Sequence, residues 1–149
     1  NKVDLSKVTL ASEGSFAPGN GWQEVKFNQP VKARYVGLLA HNAQDEKEIA
    51  SIAELYLLDE DGERLSREPW TVLYADSEDT SSKNCTADKV FDLQESTYWK
   101  TERHKPFPHY LIIDLGEVHT LTGAQYLPRM ESQAPGSIKD FQILVSEEL

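Results

Sequence analysis

One cysteine, Cys85, in a chain of 149 residues excludes an internal disulfide. With only four scattered histidines, the sequence also lacks the Cys/His sets at short spacing that a zinc site needs. Cys85 lies between Asn84 and Thr86 and reads as a bystander thiol. Positive charge is scarce: 15 Lys and Arg stand against 25 Asp and Glu, a net charge of −10. The acidic residues are spread along the chain, which speaks against nucleic acid, anionic membrane surfaces and polyanionic glycans as partners. A small local basic pocket remains compatible with this balance. No apolar run approaches the ~18 residues of a membrane-spanning helix. The chain opens at Asn1 without a signal-peptide pattern and reads as a module of a longer protein, monomeric by itself. Gly-x-Ser-x-Gly, His-Glu-x-x-His and phosphate-loop patterns are missing, so no enzyme is expected. Asp76-Ser77-Glu78-Asp79 is the one place that invites a paired-carboxylate reading, and an acidic stretch after a strand reads as a solvated turn.

What is present is a series of short β signals. Val25 and Phe27 alternate with charge, Ala33 to Ala40 is nearly continuous in apolar residues, and Trp70, Val72 and Tyr74 alternate along the next segment. His109 to Leu115, Leu121 to Leu127 and Phe141 to Val145 are rich in β-formers. Turn chemistry separates them at Pro18-Gly19-Asn20-Gly21, Asn28-Gln29-Pro30, Asp61-Gly62, Leu115-Gly116 and Pro135-Gly136. This pattern predicts one all-β sandwich domain. Ile49, Ile52, Ala53 and Tyr56 recur at helical spacing, but a strand over Ile52 to Leu58 is preferred, followed by a hairpin or linker at 59–69. Trp70 reads as buried, His109 as a core or edge residue, and Trp22, after a Gly-rich turn, as core or edge packing or else an exposed platform.

Particular residues carry a family resemblance. Ala87 to Trp99 (ADKVFDLQESTYW), Pro108 to Gly116 (PHYLIIDLG), Gly123 to Arg129 (GAQYLPR) and Gly136 to Ser146 (GSIKDFQILVS) resemble the first half of a discoidin domain, also called the coagulation factor 5/8 type C domain. Family 32 carbohydrate-binding modules share that galactose-binding-like jelly roll. Leu93 stands where the family usually has Gly, and Trp99 matches the family's core Trp, which implies that it is buried. Residues 5–58 resemble the second half of the same family through Val25 to Ala40 and Ala50 to Leu55. The halves are therefore in reversed order, with 1–60 matching the second and 70–149 the first. A circular permutation closing one sandwich over 1–149 is preferred to a cut across two tandem modules, because half-sandwiches would expose apolar faces and open edges.

The resemblance implies sites. A structural Ca2+ would be held by Asp92 and Thr97 from the loop and Glu54 from the last strand, with carbonyls near Lys89, Gln94 and Ala53. A glycan site on the end loops would use Arg129, Lys100, His41 and Asn42, with His104 and Phe107 as a replacement face. Lys100 stands where the family often has His, and Pro135 where it often has Asn. Ordinary roles compete: an Arg129 salt bridge with Glu131 or Glu102, and a solvated loop at 41–46. The resemblance is strongest to modules on bacterial glycosidases, including hexosaminidase-like enzymes. It implies a non-catalytic carbohydrate-binding module, secreted, periplasmic or at the cell surface, with glycan and the parent catalytic domain as partners. A structural module without sugar binding, and a protein- or lipid-binding discoidin domain, are the alternatives.

Overall fold

The computed structural model describes residues 8–19, 21–45, 47–81, 85–129 and 136–148. Eight strands follow in chain order: β1 (Thr9–Ser15), β2 (Gln23–Ala40), β3 (Ser51–Ile52), β4 (Glu54–Leu58), β5 (Thr71–Ala75), β6 (Trp99–Lys100), β7 (His109–Leu127) and β8 (Asp140–Ser146). A 3-10 helix, Ala87–Phe91, lies between β5 and β6. Six strands form one antiparallel set in the order β1-β8-β2-β7-β4, with β5 also on β7, while β3 pairs with β6. The molecule is an all-β galactose-binding-like sandwich.

Two strands run further than their turn residues suggest. β2 continues through Asn28-Gln29-Pro30, and β7 through Leu115-Gly116. Their shared register breaks between Lys26 and Val31 and again between Ala33 and Tyr35. Such irregularities bend a strand so that it can pass between layers. The first part of β2 pairs with the end of β7, whose other edge carries β4; the second part pairs with the start of β7 and with β8. The turn chemistry thus marks corners inside long strands rather than strand ends. Gly116 has φ +91°, the left-handed region that favours glycine.

Side-chain alternation fills the core. Val36, Leu38 and Ala40 of β2 meet Leu111, Ile113 and Leu115 of β7 and Phe141, Ile143 and Val145 of β8. Phe16 stacks on Phe141 at 4.1 Å and on Tyr126 at 4.5 Å. One cluster of buried residues joins both motif-bearing segments, from Ala11 to Val145. Among the described residues the first and last strands, β1 and β8, are neighbours, with Thr9 opposite Val145 and Ser15 opposite Asp140. The segment from Ile52 to Leu58 is extended, as preferred over the helix, but as two strands that part at Ala53: Ile52 pairs with β6, and Glu54 to Leu58 pair with β7. Trp70 and Trp99 are buried, as expected. Trp22 is not: it is 39% exposed, on the outward parity that it shares with Glu24. Cys85 is buried against Ala53, Tyr98 and Leu127 rather than standing in polar surroundings.

Candidate functional site

The loop end around β3 and β6 gathers much of the polar chemistry. Trp99 points inward and donates its indole N–H to Ser77 O at 2.9 Å. Lys100, next along the strand, has the opposite parity. Its Nζ lies 2.9 Å from Asp79 Oδ2, with both side chains largely covered. The Ser81 hydroxyl and backbone N–H donate to Asp79 at 2.7 and 3.0 Å. These bonds, followed by Lys100, hold the Asp79 carboxyl far below the usual carboxylate range. Asp79, Ser81, Lys100, Glu102 and Arg103 wall a cleft of about 470 Å3.

Arg129 follows Pro128 at the end of β7 and packs on Tyr98. Its guanidinium lies 4.0 Å from the ring centre and donates to the phenol oxygen at 2.9 Å. His41 and Asn42 emerge from β2 and face β8. Asn42 donates to Asp140 Oδ2 at 2.8 Å and accepts from Asp140 N at 2.9 Å, while His41 Nε2 lies 3.1 Å from Gln142 Oε1. His104 is exposed, with φ +65°. Of these five residues, Lys100 alone lines the cleft; Arg129 sits on the ring beside β6, and His41 and Asn42 tie β2 to β8.

The acidic segment 76–79 is not a solvated turn. Asp76 accepts from Tyr110 N at 2.8 Å and meets His109 Nδ1 at 2.7 Å. His109 Nε2 faces Glu48 O at 2.9 Å. Both ring nitrogens point at oxygen acceptors, so both must carry protons for both bonds to form. Burial lowers the His109 pKa, but Asp76 and the Glu48 carbonyl outweigh it and raise the pKa above the ordinary value. Glu78 accepts from Ala87 N at 2.7 Å, at the start of the 3-10 helix. Each acid is spent on tying a loop.

The metal candidates also meet. Thr97 donates its hydroxyl to Asp92, whose other oxygen accepts from Gln94 N at 3.0 Å. Leu93 makes that turn with φ +64°, filling the role of the family's glycine by adopting the left-handed conformation. Glu54 is 2% exposed; its Oε1 accepts from Arg67 at 3.0 Å, and its Oε2 is buried without a partner. Burial pushes the Glu54 carboxyl up to about 7, and neighbouring Asp92 pushes the same way against the pull of Arg67. Among the described residues no three His, Cys, Asp or Glu side chains cluster as metal ligands. A cation here would therefore rest on two carboxylates, a hydroxyl and carbonyls. That is a hard-oxygen set with one buried oxygen still unsatisfied.

Arg67 is the residue that sequence reasoning missed. It is 6% exposed and donates to Glu54, Leu55 O, Val90 O and the Tyr56 phenol oxygen at 2.9–3.2 Å. Nothing in its charged, turn-like neighbourhood (ERLSREP) distinguishes it from a solvated arginine.

A β-sandwich whose polar groups collect on end loops, with its acids used to fix those loops, is a scaffold for binding. Residues 73–148, about half of the chain, match the F5/8 type C domain, and the chain belongs to this family of non-catalytic binding domains. A sialidase from Micromonospora viridifaciens is 37% identical over 75 residues, covering 48% of this chain and 11% of that protein. The chain thus corresponds to a small part of the relative's length.

Proposed function

We propose that this domain is a carbohydrate-binding module attached to a bacterial glycoside hydrolase outside the cytoplasm, and that it holds the enzyme near its glycan. The observation that carries the reading is the polar cleft beside Lys100, on a fold whose relative is a sialidase. Ser81, Glu102 and Arg103 supply donors and acceptors that sugar hydroxyls need, and Arg129, held on the Tyr98 ring, supplies a fixed guanidinium nearby. A single site of this kind binds weakly, and attachment to a catalytic domain raises its effect through local concentration. Calorimetric titration of glycans from an array screen should give millimolar or tighter binding that weakens at least about tenfold in Lys100→Ala or Arg129→Ala, a loss of about 1.4 kcal/mol. No sugar bound at millimolar concentration would sink this reading.

The reversed order of the two motif-bearing segments is read as a circular permutation. The pairing of β1 with β8 supports it, since it closes the sandwich through the chain's two ends.

Calcium is proposed to sit against Glu54 Oε2, Asp92 and Thr97 as a structural ion that pins loops. Its support is the buried unpartnered oxygen beside a second carboxylate. Glu54 has a folded pKa above its unfolded value, so its proton is held more tightly in the folded state. In calcium-free protein its contribution to stability is fully present below about pH 4.5 and is lost as pH rises through about 7. The loss is on the order of 3 kcal/mol. Calcium should restore it at pH 7.5, and Glu54→Gln should remove both the pH slope and the calcium effect. Thermal melts of EDTA-treated protein with and without calcium decide this; identical melting temperatures would count against the ion.

A second reading, a module that packs on the catalytic domain without binding sugar, is favoured by a different surface. Tyr35, Leu39, Tyr110, Ile112 and Leu144 line an apolar groove of about 230 Å3 on the outer face of β2, β7 and β8. The failed glycan titration described above would select it.

A further inference from the structure

We propose that the outer face of β4, β7 and β2 carries a second saccharide site, built on Arg64 and Trp22 and selective for sugars bearing a carboxylate. The site starts in the hairpin after β4. The Asp59 carboxylate accepts from the backbone N–H groups of Asp61 and Glu63 at 2.9 and 3.0 Å, and Gly62 turns the chain at φ +77°. The returning chain is fixed by Leu65 N donating to Leu57 O at 2.8 Å and by the bridge between Leu58 and Arg64. Arg64 therefore leaves a rigid backbone.

Its side chain is fixed as well. Tyr56, Gln125 and Glu24 are partners across β4, β7 and β2, on the face opposite the core residues Leu55, Leu57, Ala124 and Tyr126. Glu24 accepts from the Gln125 amide nitrogen at 2.9 Å, which turns the amide oxygen toward Arg64 Nε at 2.7 Å. The guanidinium lies 3.9 Å from the Tyr56 ring centre and 4.7 Å from that of Trp22. Two rings and an amide thus hold a solvent-exposed arginine in one place. Among the described residues no carboxylate pairs with it, in a chain carrying 25 acidic side chains.

An ordered guanidinium with free η nitrogens presents the fork that takes a carboxylate bidentately. The exposed Trp22 indole beside it offers an apolar face to the C–H side of a sugar ring. A cleft of about 550 Å3, walled by Tyr56, Arg64, Ser66, Glu68, Phe91 and Leu93, opens next to Arg64 and has room for a further sugar unit. The cleft also borders Arg67, but that guanidinium is buried and paired with Glu54, whereas Glu68 disfavours anions, so the ligand carboxylate belongs on the Arg64 side. This surface differs from the Lys100 cleft in elements and residues, and its ligand differs from a neutral sugar in charge.

The test is titration of the 149-residue chain with glucuronate, followed by tryptophan emission. Trp22 dominates any ligand response because Trp70 and Trp99 are buried. Glucuronate should change the emission saturably, with glucose and acetate each at least tenfold weaker. Arg64→Ala, and Trp22→Ala followed by calorimetry in place of emission, should each weaken glucuronate at least tenfold, with melting temperatures retained because both side chains are exposed. Glu68→Gln should tighten binding, and Arg129→Ala should leave it within twofold, separating this site from the loop-end site. Equal binding of glucose and glucuronate, an unchanged affinity in Arg64→Ala, or a loss in Arg129→Ala would each overturn the proposal.

Discussion

Arg67→Met is expected to lower unfolding free energy by about 3–5 kcal/mol, the cost of leaving a buried charge without its partner. The reason is the company that Arg67 keeps. Its guanidinium is the cation on Glu54 Oε1, and it also donates to Leu55 O and Val90 O. Methionine fills part of the volume but donates nothing. Glu54 is then left with neither carboxylate oxygen paired by a side chain, beside Asp92. The loss should divide into two parts by pH. The Glu54 part shrinks as pH falls, because protonation removes the buried charge; the part from the two carbonyls persists, at about 1 kcal/mol for each lost hydrogen bond. Urea unfolding at pH 5 and pH 8 measures both. The double variant Arg67→Met with Glu54→Met should recover the Glu54 part of the loss at pH 8 and leave the carbonyl part, since removing both charges of a buried pair removes the unpaired carboxylate but not the orphaned Leu55 O and Val90 O. Equal destabilisation of Arg67→Met at both pH values would show that the guanidinium acts through packing and not through Glu54.

Gly123→Ala should be nearly as damaging, at about 2–3 kcal/mol or more, for a purely steric reason. Gly123 sits in β7 between Lys26 of β2 and Leu58 of β4. A Cβ there would lie 2.5 Å from Val25 O and 3.3 Å from a Leu58 methyl. The first of these is backbone, so relief requires β2 and β7 to part. Gly37 gives the control. It also lies mid-strand, but its Cβ would meet Ile112 at an ordinary 3.8 Å. Gly37→Ala should therefore stay within about 1 kcal/mol of the parent. Thermal or urea unfolding of the pair reads the contrast, and similar stabilities for the two variants would refute the steric argument.

Much of the scaffold was legible in the residue pattern. The apolar run from Ala33 to Ala40 and the β-formers from Phe141 to Val145 specify strands, and both segments are strands. The choice of strand over helix at Ile52 to Leu58 followed from the same reasoning. Asn28-Gln29-Pro30 and Leu115-Gly116 were legible as breaks in regular geometry but not as corners within continuous strands. The local signal for a turn and for a bulge is the same. For Trp22 the sequence left packing and an exposed platform both open and favoured packing, because a large apolar side chain near a strand usually finds cover. Its position is set by the parity of β2 and by the arrival of Arg64 from the segment that returns after β4.

The site residues divide in a similar way. Asp92 and Thr97 lie five residues apart, and their mutual hydrogen bond falls within one loop that a motif can describe. Glu54 with Arg67, Asp76 with His109 and Asn42 with Asp140 are separated by 13, 33 and 98 residues. Sequence by itself determined which positions alternate inward, since a strand's two-residue period is a local property of the backbone. Only the tertiary structure decided which charges are buried and which partners they find. Those pairings depend on strand register and loop path, and a charged residue looks the same in the sequence whether it ends in water or beneath another strand.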